Sequence, residues 1–151
     1  MTHPELAQKN FETGCNCAQA VLLAFSDRTG LDEATAMKLA ASFGGGMGKL
    51  REVCGAVSAM FMALGMIYAD DHIPTQEAKA AHYQKIQTLA ARFKAENGSY
   101  ICRDLLEGVP VSKDTAPEER TEQYYKKRPC GELCAMAARI LDEYLAEQEN
   151  I

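Results

Sequence analysis

The stretch FGGGMGKLREVCGAV, residues 43–57, decides the fold that we predict for this chain. Glycine at this density is typical of backbone that needs a positive φ or lets another group approach closely. Apolar residues then recur at three- and four-residue intervals, which predicts a helix with one buried face. That face contains Leu50, Val53, Cys54, Val57, Met60, Phe61, Leu64, Ile67 and Tyr68. We therefore expect a glycine-rich turn before a central buried helix.

Helical signals continue on both sides of this stretch. Asn16 and Gln19 have the spacing of a capping box, which predicts that a helix begins at Cys17. Further helices are expected over residues 4–10, 32–42, 75–96, 100–106 and 129–147. Ser99 is the expected cap of the helix at 100–106, and the longest loop is expected at 108–119. No alternating strand pattern of useful length appears. The predicted fold is all-α, a single-domain bundle of four to five main helices over residues 1–151.

Composition excludes several classes of protein. The chain has 151 residues, 47% of them apolar, and a formal charge of −5, which argues against nucleic acid or an anionic membrane as the main partner. No apolar run of about 18 residues is present, so no membrane span is expected. The N-terminus lacks a basic start and an apolar core, so we expect a cytoplasmic protein. The sequence leaves a homodimer open.

Six cysteines are the informative anomaly. In a reducing compartment such a set is more typical of metal binding or redox chemistry than of disulfide cross-links. Cys17, Cys102 and Cys130 fall at predicted helix N-termini, where backbone N–H groups favour a thiolate or an anionic cluster. Cys54 alone would more often be a structural core residue. Because no Cys-x-x-Cys occurs, a four-thiolate site must be assembled by the tertiary fold.

Other chemistries fit the sequence poorly. The run GGGMGKL, residues 44–50, lacks the spacing of a phosphate-binding loop and has leucine where serine or threonine is needed. A cysteine hydrolase needs a positioned histidine, but His3, His72 and His82 lie in polar surroundings. Asp70, Asp71 and His72 are more typical of a solvated helix end than of a metal site.

The joint cysteine and glycine pattern resembles a known family. The segments CAQAV (17–21), FGGGMG (43–48), CGAV (54–57) and CR (102–103) are similar to the redox-active family named for its motif, C_GCAxxG_C_C. The resemblance covers about residues 14–141. By position, the four cysteines of the family match Cys17, Cys54, Cys102 and Cys130, while Cys15 and Cys134 look additional. The final glycine of the motif's Cys-Gly-Ala-x-x-Gly element is replaced by Ala59. The resemblance implies redox chemistry and no particular substrate.

Three functions remain open at this point. The leading one is a redox or electron-transfer protein in which Cys17, Cys54, Cys102 and Cys130 bind an iron–sulfur cluster, with [2Fe–2S] as the suggested type and another redox protein as partner. Backbone N–H groups would then reach the cofactor from Gly44, Gly45, Gly46, Gly48 and Gly55. The second is a metal-free dithiol/disulfide oxidoreductase that uses Cys17 and Cys54. The third is a non-enzymatic protein with a structural Cys₄ zinc site. The cluster reading requires all four sulfurs to lie in one site.

Overall fold

The computed structural model describes residues 1–112 and 114–150, and its regular structure is helical. The helices are α1 His3–Glu12, α2 Cys17–Ala24, α3 Ser26–Thr29, α4 Glu33–Ala40 with a 3₁₀ turn Ala41–Phe43, α5 Gly44–Met47, α6 Gly55–Tyr68, α7 Gln76–Asn97, α8 Cys102–Leu105, α9 Glu122–Lys127 and α10 Cys130–Glu149. Within the described residues, β pairing is limited to one isolated antiparallel bridge between Val53 and Ile101. The prediction of an all-α fold is confirmed.

The short helix α2 lies at the centre of the packing. It contacts α1, α4, α6 and α10, while α1 also packs along α10 and α7 covers α6 and α10. Helix α2 is apolar on almost every side because nearly all its neighbours are other helices. The largest fully buried side chains come from α2 with its C-cap residue, α6, α7 and α10: Leu22, Phe25, Met60, Leu64, Leu89, Phe93, Ile140, Leu141 and Leu145.

Several predicted helix ends are confirmed. The Asn16 side chain accepts the N–H of Gln19 at 2.9 Å, and the Gln19 side chain accepts the N–H of Asn16 at 3.0 Å, so the capping box forms. The helix predicted over 75–96 is observed as α7, with Thr75 as its N-cap rather than its first residue and with Gly98 after it in the left-handed conformation. These ends were predictable because capping depends on local side-chain chemistry.

The start of the central helix was predicted wrongly. Helix α6 begins at Gly55 with Cys54 as its N-cap, and Leu50 is 71% exposed rather than on a buried face. Residues 45–49 and Arg51 have positive φ, so the short segment α5 is a left-handed turn and the chain here does not form a right-handed helix. Tyr100 is likewise outside α8, whose N-cap is Ile101, and Ser99 instead accepts the N–H of Ile101 at 3.0 Å.

Two further details concern the second half of the chain. The apolar spacing in residues 75–96 predicts an inner face made of Ala78, Ala81, Ile86, Leu89, Ala90 and Phe93. Ala81 is instead exposed, since α6 and α10 cover α7 only in part. The predicted loop at 108–119 is free of helix in its described residues, and Lys113 lies outside them. No helix in the described part of the chain is both long and apolar enough to cross a membrane.

Candidate functional site

The four cysteines singled out in the sequence line one cavity. Its volume is about 330 Å³, and Cys17, Cys54, Cys102 and Cys130 all contribute to its wall. Cys15 is not part of that wall, and its sulfur lies 3.9 Å from the Met37 sulfur. The structure thus brings together residues that are up to 113 positions apart in the sequence. Their roles as ligands or as redox groups remain predictions.

Cys17 is the most activated of these thiols. It is the first residue of α2, and its sulfur accepts a hydrogen bond from the Cys54 thiol. Backbone N–H groups of Gly45, Ala18 and Ala56 also donate to it. The Cys54 hydrogen bond, helped by these N–H groups, lowers the pKa of Cys17 to about 6 although burial opposes ionisation. Cys17 is therefore largely a thiolate at neutral pH.

Two helix N-termini converge on this sulfur. The N–H of Ala18 belongs to the first turn of α2, and the N–H of Ala56 belongs to the first turn of α6. Each terminus has unpaired N–H groups and a positive partial charge, which stabilise an anion. The sequence predicted the first helix end for Cys17. It missed the second because Cys54 was assigned to the interior of a helix that starts only at Gly55.

Cys54 remains protonated, and its S–H group donates a hydrogen bond to the Cys17 thiolate. The hydrogen bond to Cys17, followed by burial and the negative charge on Cys17, raises the pKa of Cys54 well above its ordinary value. Cys54 is 5% exposed, whereas Cys17 is partly exposed at the cavity wall. The pair therefore consists of an accessible thiolate and a buried thiol behind it.

Two glycines let the sulfur-bearing residues come close to the backbone. A Cβ on Gly55 would lie 2.5 Å from the Cys17 sulfur, and a Cβ on Gly46 would lie 2.6 Å from the Cβ of Cys102. Gly46 also has a φ of +69°, which residues with a side chain rarely adopt. Of the glycines predicted to contact a cofactor, Gly44, Gly45, Gly48 and Gly55 belong to the cavity wall and Gly46 does not.

The other two wall cysteines are each next to an arginine. Cys102 begins α8, and its sulfur lies 3.6 Å from Nη1 of Arg51. Burial raises the pKa of Cys102, and Arg51 opposes that rise. Cys130 begins α10, where burial and then the Cys17 charge raise its pKa to about 12 against the effect of Arg128. Both are therefore protonated thiols at neutral pH.

Cationic side chains at the cavity were not predicted. Its wall includes Lys49, Arg51, Arg120 and Arg128, with Glu118 as the one carboxylate among the described lining residues. In the sequence, residues 124–128 (YYKKR) indicate only a short basic-aromatic patch, yet the Arg128 side chain is 5% exposed. The sequence did contain one signal for these cations, because Arg128 lies two residues before Cys130 and Arg51 lies three residues before Cys54.

A loop closes one side of the cavity through Lys49. The Lys49 ammonium donates to the Ser112 hydroxyl at 2.9 Å and to the Ala116 carbonyl at 2.5 Å. Burial raises the pKa of Glu118, but the N–H groups of Ser112 and Glu118 and the charges of Arg128 and Lys49 outweigh it and lower that pKa to about 2. Glu118 is therefore ionised at neutral pH.

The donor set can be compared with two kinds of metal centre. A single zinc ion needs thiolates within about 2.3 Å of one point. Across residues 1–112 and 114–150, no three Cys, His, Asp or Glu side chains are arranged closely enough to hold one ion. Binding zinc would therefore require the thiols to rearrange. An iron–sulfur cluster distributes its thiolates over several iron atoms, so four thiols around one cavity fit its donor set better.

The fold and the cavity define an all-α protein with four cysteines around one pocket. Residues 15–144 match the family model described as "Putative redox-active protein (C_GCAxxG_C_C)". The chain belongs to this family, and the resemblance seen in the sequence is confirmed. No curated protein and no solved structure matches the chain.

Proposed function

We propose that this protein carries out thiol–disulfide redox chemistry, with Cys17 as the attacking thiolate and Cys54 as its partner. The observation that carries the proposal is the position of Cys17 and Cys54 on one cavity wall, where a Cβ on Gly55, the residue after Cys54, would lie 2.5 Å from the Cys17 sulfur. Their interaction lowers the pKa of Cys17 and raises that of Cys54. It supports one ionised and one protonated sulfur within reach of each other, which is the state that a dithiol needs before it attacks.

The reaction requires a disulfide as co-substrate. The Cys17 thiolate attacks one sulfur of that disulfide, the S–S bond breaks, and the other half leaves as a thiolate. The leaving thiolate takes the proton of Cys54, and the Cys54 sulfur then attacks Cys17 in the mixed disulfide. A Cys17–Cys54 disulfide forms, the second half leaves as a thiolate, and the protein has lost two electrons to the co-substrate.

The environment of Cys17 suits this role. Attack is fastest when the pKa of the thiol is near the ambient pH, because lower values reduce nucleophilicity and higher values reduce the thiolate fraction. A pKa of about 6 leaves Cys17 ionised and still nucleophilic at neutral pH. Cys102 and Cys130 keep their protons at that pH, so they do not compete for the co-substrate.

Trapping the mixed disulfide tests the proposal. We expect wild-type protein treated with one equivalent of a small disulfide to form a Cys17–Cys54 bond, detected by peptide mapping. Cys54→Ala should stop at a mixed disulfide on Cys17, and Cys17→Ala should not react at the site. Cys15→Ala, outside the cavity, is the matched control and should behave as wild type. A first adduct at any other cysteine would disprove the assignment.

A second candidate is an iron–sulfur cluster bound by Cys17, Cys54, Cys102 and Cys130, for which the shared cavity is the supporting observation. Such a cluster would supply one-electron transfer to a partner protein. This chain would contribute the four thiolates, N–H groups such as those of Gly45 and Ala56 on the Cys17 sulfur, and a wall of side chains that limits water access.

Metal analysis separates the two candidates. Anaerobically purified protein with a bound cluster should absorb visible light and contain iron and acid-labile sulfide, and both should be lost in Cys102→Ala and Cys130→Ala. A dithiol protein should be colourless, and the same two variants should still form the Cys17–Cys54 disulfide.

A further inference from the structure

The positive charge around the cavity has no part in the reaction described above. Arg51, Arg120 and Arg128 line the wall together with Lys49, in a chain whose formal net charge is −5. Lys49 is held by the 112–116 segment, and Arg120 donates to the carbonyls of Phe11 and Cys15. Both are therefore fixed by the protein itself, which leaves two arginines to consider.

Arg128 is buried and Arg51 is partly buried, and each has unused hydrogen-bonding capacity. The Arg128 side chain is 5% exposed and that of Arg51 is 15% exposed. Nη2 of Arg128 lies 3.0 Å from a Glu118 oxygen, and Nη2 of Arg51 lies 3.6 Å from it. Neither nitrogen has a hydrogen bond to any described residue. Glu118 is the one carboxylate among the described lining residues that these two guanidinium groups share, so it compensates their two charges only in part. Because both side chains also line the cavity, an anionic ligand there can pair with them.

Charge counting favours an anionic ligand. The cations Lys49, Arg51, Arg120 and Arg128 face Glu118 and the Cys17 thiolate at the wall, with Asp114 3.7 Å from Lys49. One positive charge is left over when all three negative groups are ionised. Arg128 and Arg51 are also the arginines beside Cys130 and Cys102, so a ligand on them would lie among the four thiols.

We propose, on the basis of the thiol–disulfide function above, that Arg128 and Arg51 bind a carboxylate of a small anionic disulfide and present its S–S bond to Cys17. The planar guanidinium matches a carboxylate in geometry, and a cavity of about 330 Å³ is of the size that holds a small molecule. The same charges stabilise the leaving thiolate when the S–S bond breaks. The substrate class is therefore a low-molecular-weight disulfide that carries carboxylates.

Three aliphatic disulfides of different charge test this selectivity. They are dithiodipropionate with two carboxylates, neutral bis(hydroxyethyl) disulfide, and cystamine with two ammonium groups. The rate of Cys17–Cys54 disulfide formation is measured for each at low ionic strength and divided by the rate of the same disulfide with free mercaptoethanol. We expect the normalised rate for dithiodipropionate to exceed that for the neutral compound roughly tenfold, the low end of electrostatic rate effects, and cystamine to react slowest.

Substitutions of the two arginines, and added salt, test whether a preference for the anionic disulfide is electrostatic. Arg128→Gln and Arg51→Gln should each reduce the ratio of anionic to neutral rates, while Arg139→Gln, on an exposed pair with Glu96, should leave it unchanged. Raising the ionic strength of wild-type solutions should also reduce the ratio, which covers the case of a variant that does not fold.

The outcomes separate this proposal from the one on which it rests. If none of the three disulfides oxidises Cys17, the thiol–disulfide function itself is wrong. If wild-type protein reacts but dithiodipropionate has no advantage over the neutral disulfide, the function stands and the anion site does not.

Discussion

A Cβ on Gly55 would lie 2.5 Å from the sulfur of Cys17 and 2.8 Å from the Phe43 carbonyl oxygen. Real Cβ atoms do not approach other atoms so closely, so the first residue of α6 has to be a glycine for the Cys17 sulfur to reach the N–H of Ala56. The glycine of the Cys-Gly-Ala motif thus has a steric role at the thiolate.

Gly55→Ala should therefore damage both the fold and the thiolate. We expect the free energy of unfolding to fall by about 1–3 kcal/mol, as for other overpacked sites, and the alkylation of Cys17 to slow because its N–H donors are displaced. Urea unfolding and mass spectrometry measure the two effects. Gly65→Ala on the same helix is the control, since no atom lies within 4 Å of its added Cβ, and it should be neutral or stabilising. Equal effects at both positions would contradict the steric role.

The reactivity of Cys17 should persist at acidic pH. Because the Cys54 hydrogen bond and the backbone N–H groups lower its pKa to about 6, its alkylation rate should fall only as the pH drops through that value and should level off above it. Cys130, with its pKa raised to about 12, should remain unmodified over the same range. Peptide mapping after iodoacetamide treatment at several pH values gives both rates. A Cys17 profile with a midpoint near 8.5, the value of a free cysteine, would show that the thiolate is not stabilised.

The same shift has a consequence for stability. The pKa of Cys17 is lower in the folded chain than in the unfolded one, so the unfolded chain binds more protons between about pH 6 and pH 9. Within that window the stabilisation by Cys17 should grow as the pH rises, by up to about 1.4 kcal/mol per pH unit, and it should be lost below the folded pKa. The difference in unfolding free energy between wild type and Cys17→Ser measures it. A difference that stays constant across the window would argue against a native thiolate.

The elements that were predictable from sequence depend on local chemistry. Each of these helix ends depends on residues within four positions of one another. They are the Asn16 capping box, the Thr75 cap and the glycine that ends α7. The clustering of four cysteines was expected from three helix N-termini and the family pattern, although no single spacing in the sequence requires it.

The features that were missed depend on tertiary contacts. The right-handed helix predicted from Leu50 does not begin there because Arg51 has a positive φ, as do residues 45–49 before it, and glycine content alone does not reveal the sign of φ. Arg128 looked like one charge in a short basic-aromatic patch, and its burial depends on the α9 segment folding over the cavity. The link between Cys17 and Cys54 joins two helix ends that are 37 residues apart.

The capping box at Asn16 should hold Cys17 in position. Asn16→Ala removes the acceptor for the Gln19 N–H and the donor to the Ala41 carbonyl at 3.1 Å, and we expect a loss of about 1 kcal/mol in unfolding free energy. Alkylation of Cys17 should also become slower, since its N–H contacts depend on where α2 begins. Thr75→Ala, the N-cap of α7, should cost similar stability without changing Cys17. If both variants leave the Cys17 rate unaltered, the cap is purely structural.

Cys134 should be dispensable for the chemistry although it is fully buried. Its sulfur donates to the Cys17 carbonyl oxygen at 3.7 Å, and its side chain is outside the cavity wall. Burial, followed by the Cys17 charge, raises its pKa well above the ordinary value, so it remains a thiol that packs between α2 and α10. Cys134→Ala should therefore lower the free energy of unfolding by about 1 kcal/mol, through a small cavity and one weak hydrogen bond.

Cys134→Ala should nevertheless form the Cys17–Cys54 disulfide at the wild-type rate, and so should Cys15→Ala. Cys54→Ala should lose the reaction. Stopped-flow oxidation with quantitative peptide mapping distinguishes these cases. Cys134 lies one helical turn from Cys130, and its sulfur lies 3.7 Å from the Cys17 carbonyl oxygen. It is therefore the alternative partner of Cys17 if Cys54 does not have that role. A Cys17–Cys134 bond in oxidised wild-type protein, or equal losses in Cys134→Ala and Cys54→Ala, would assign the second sulfur to Cys134 instead.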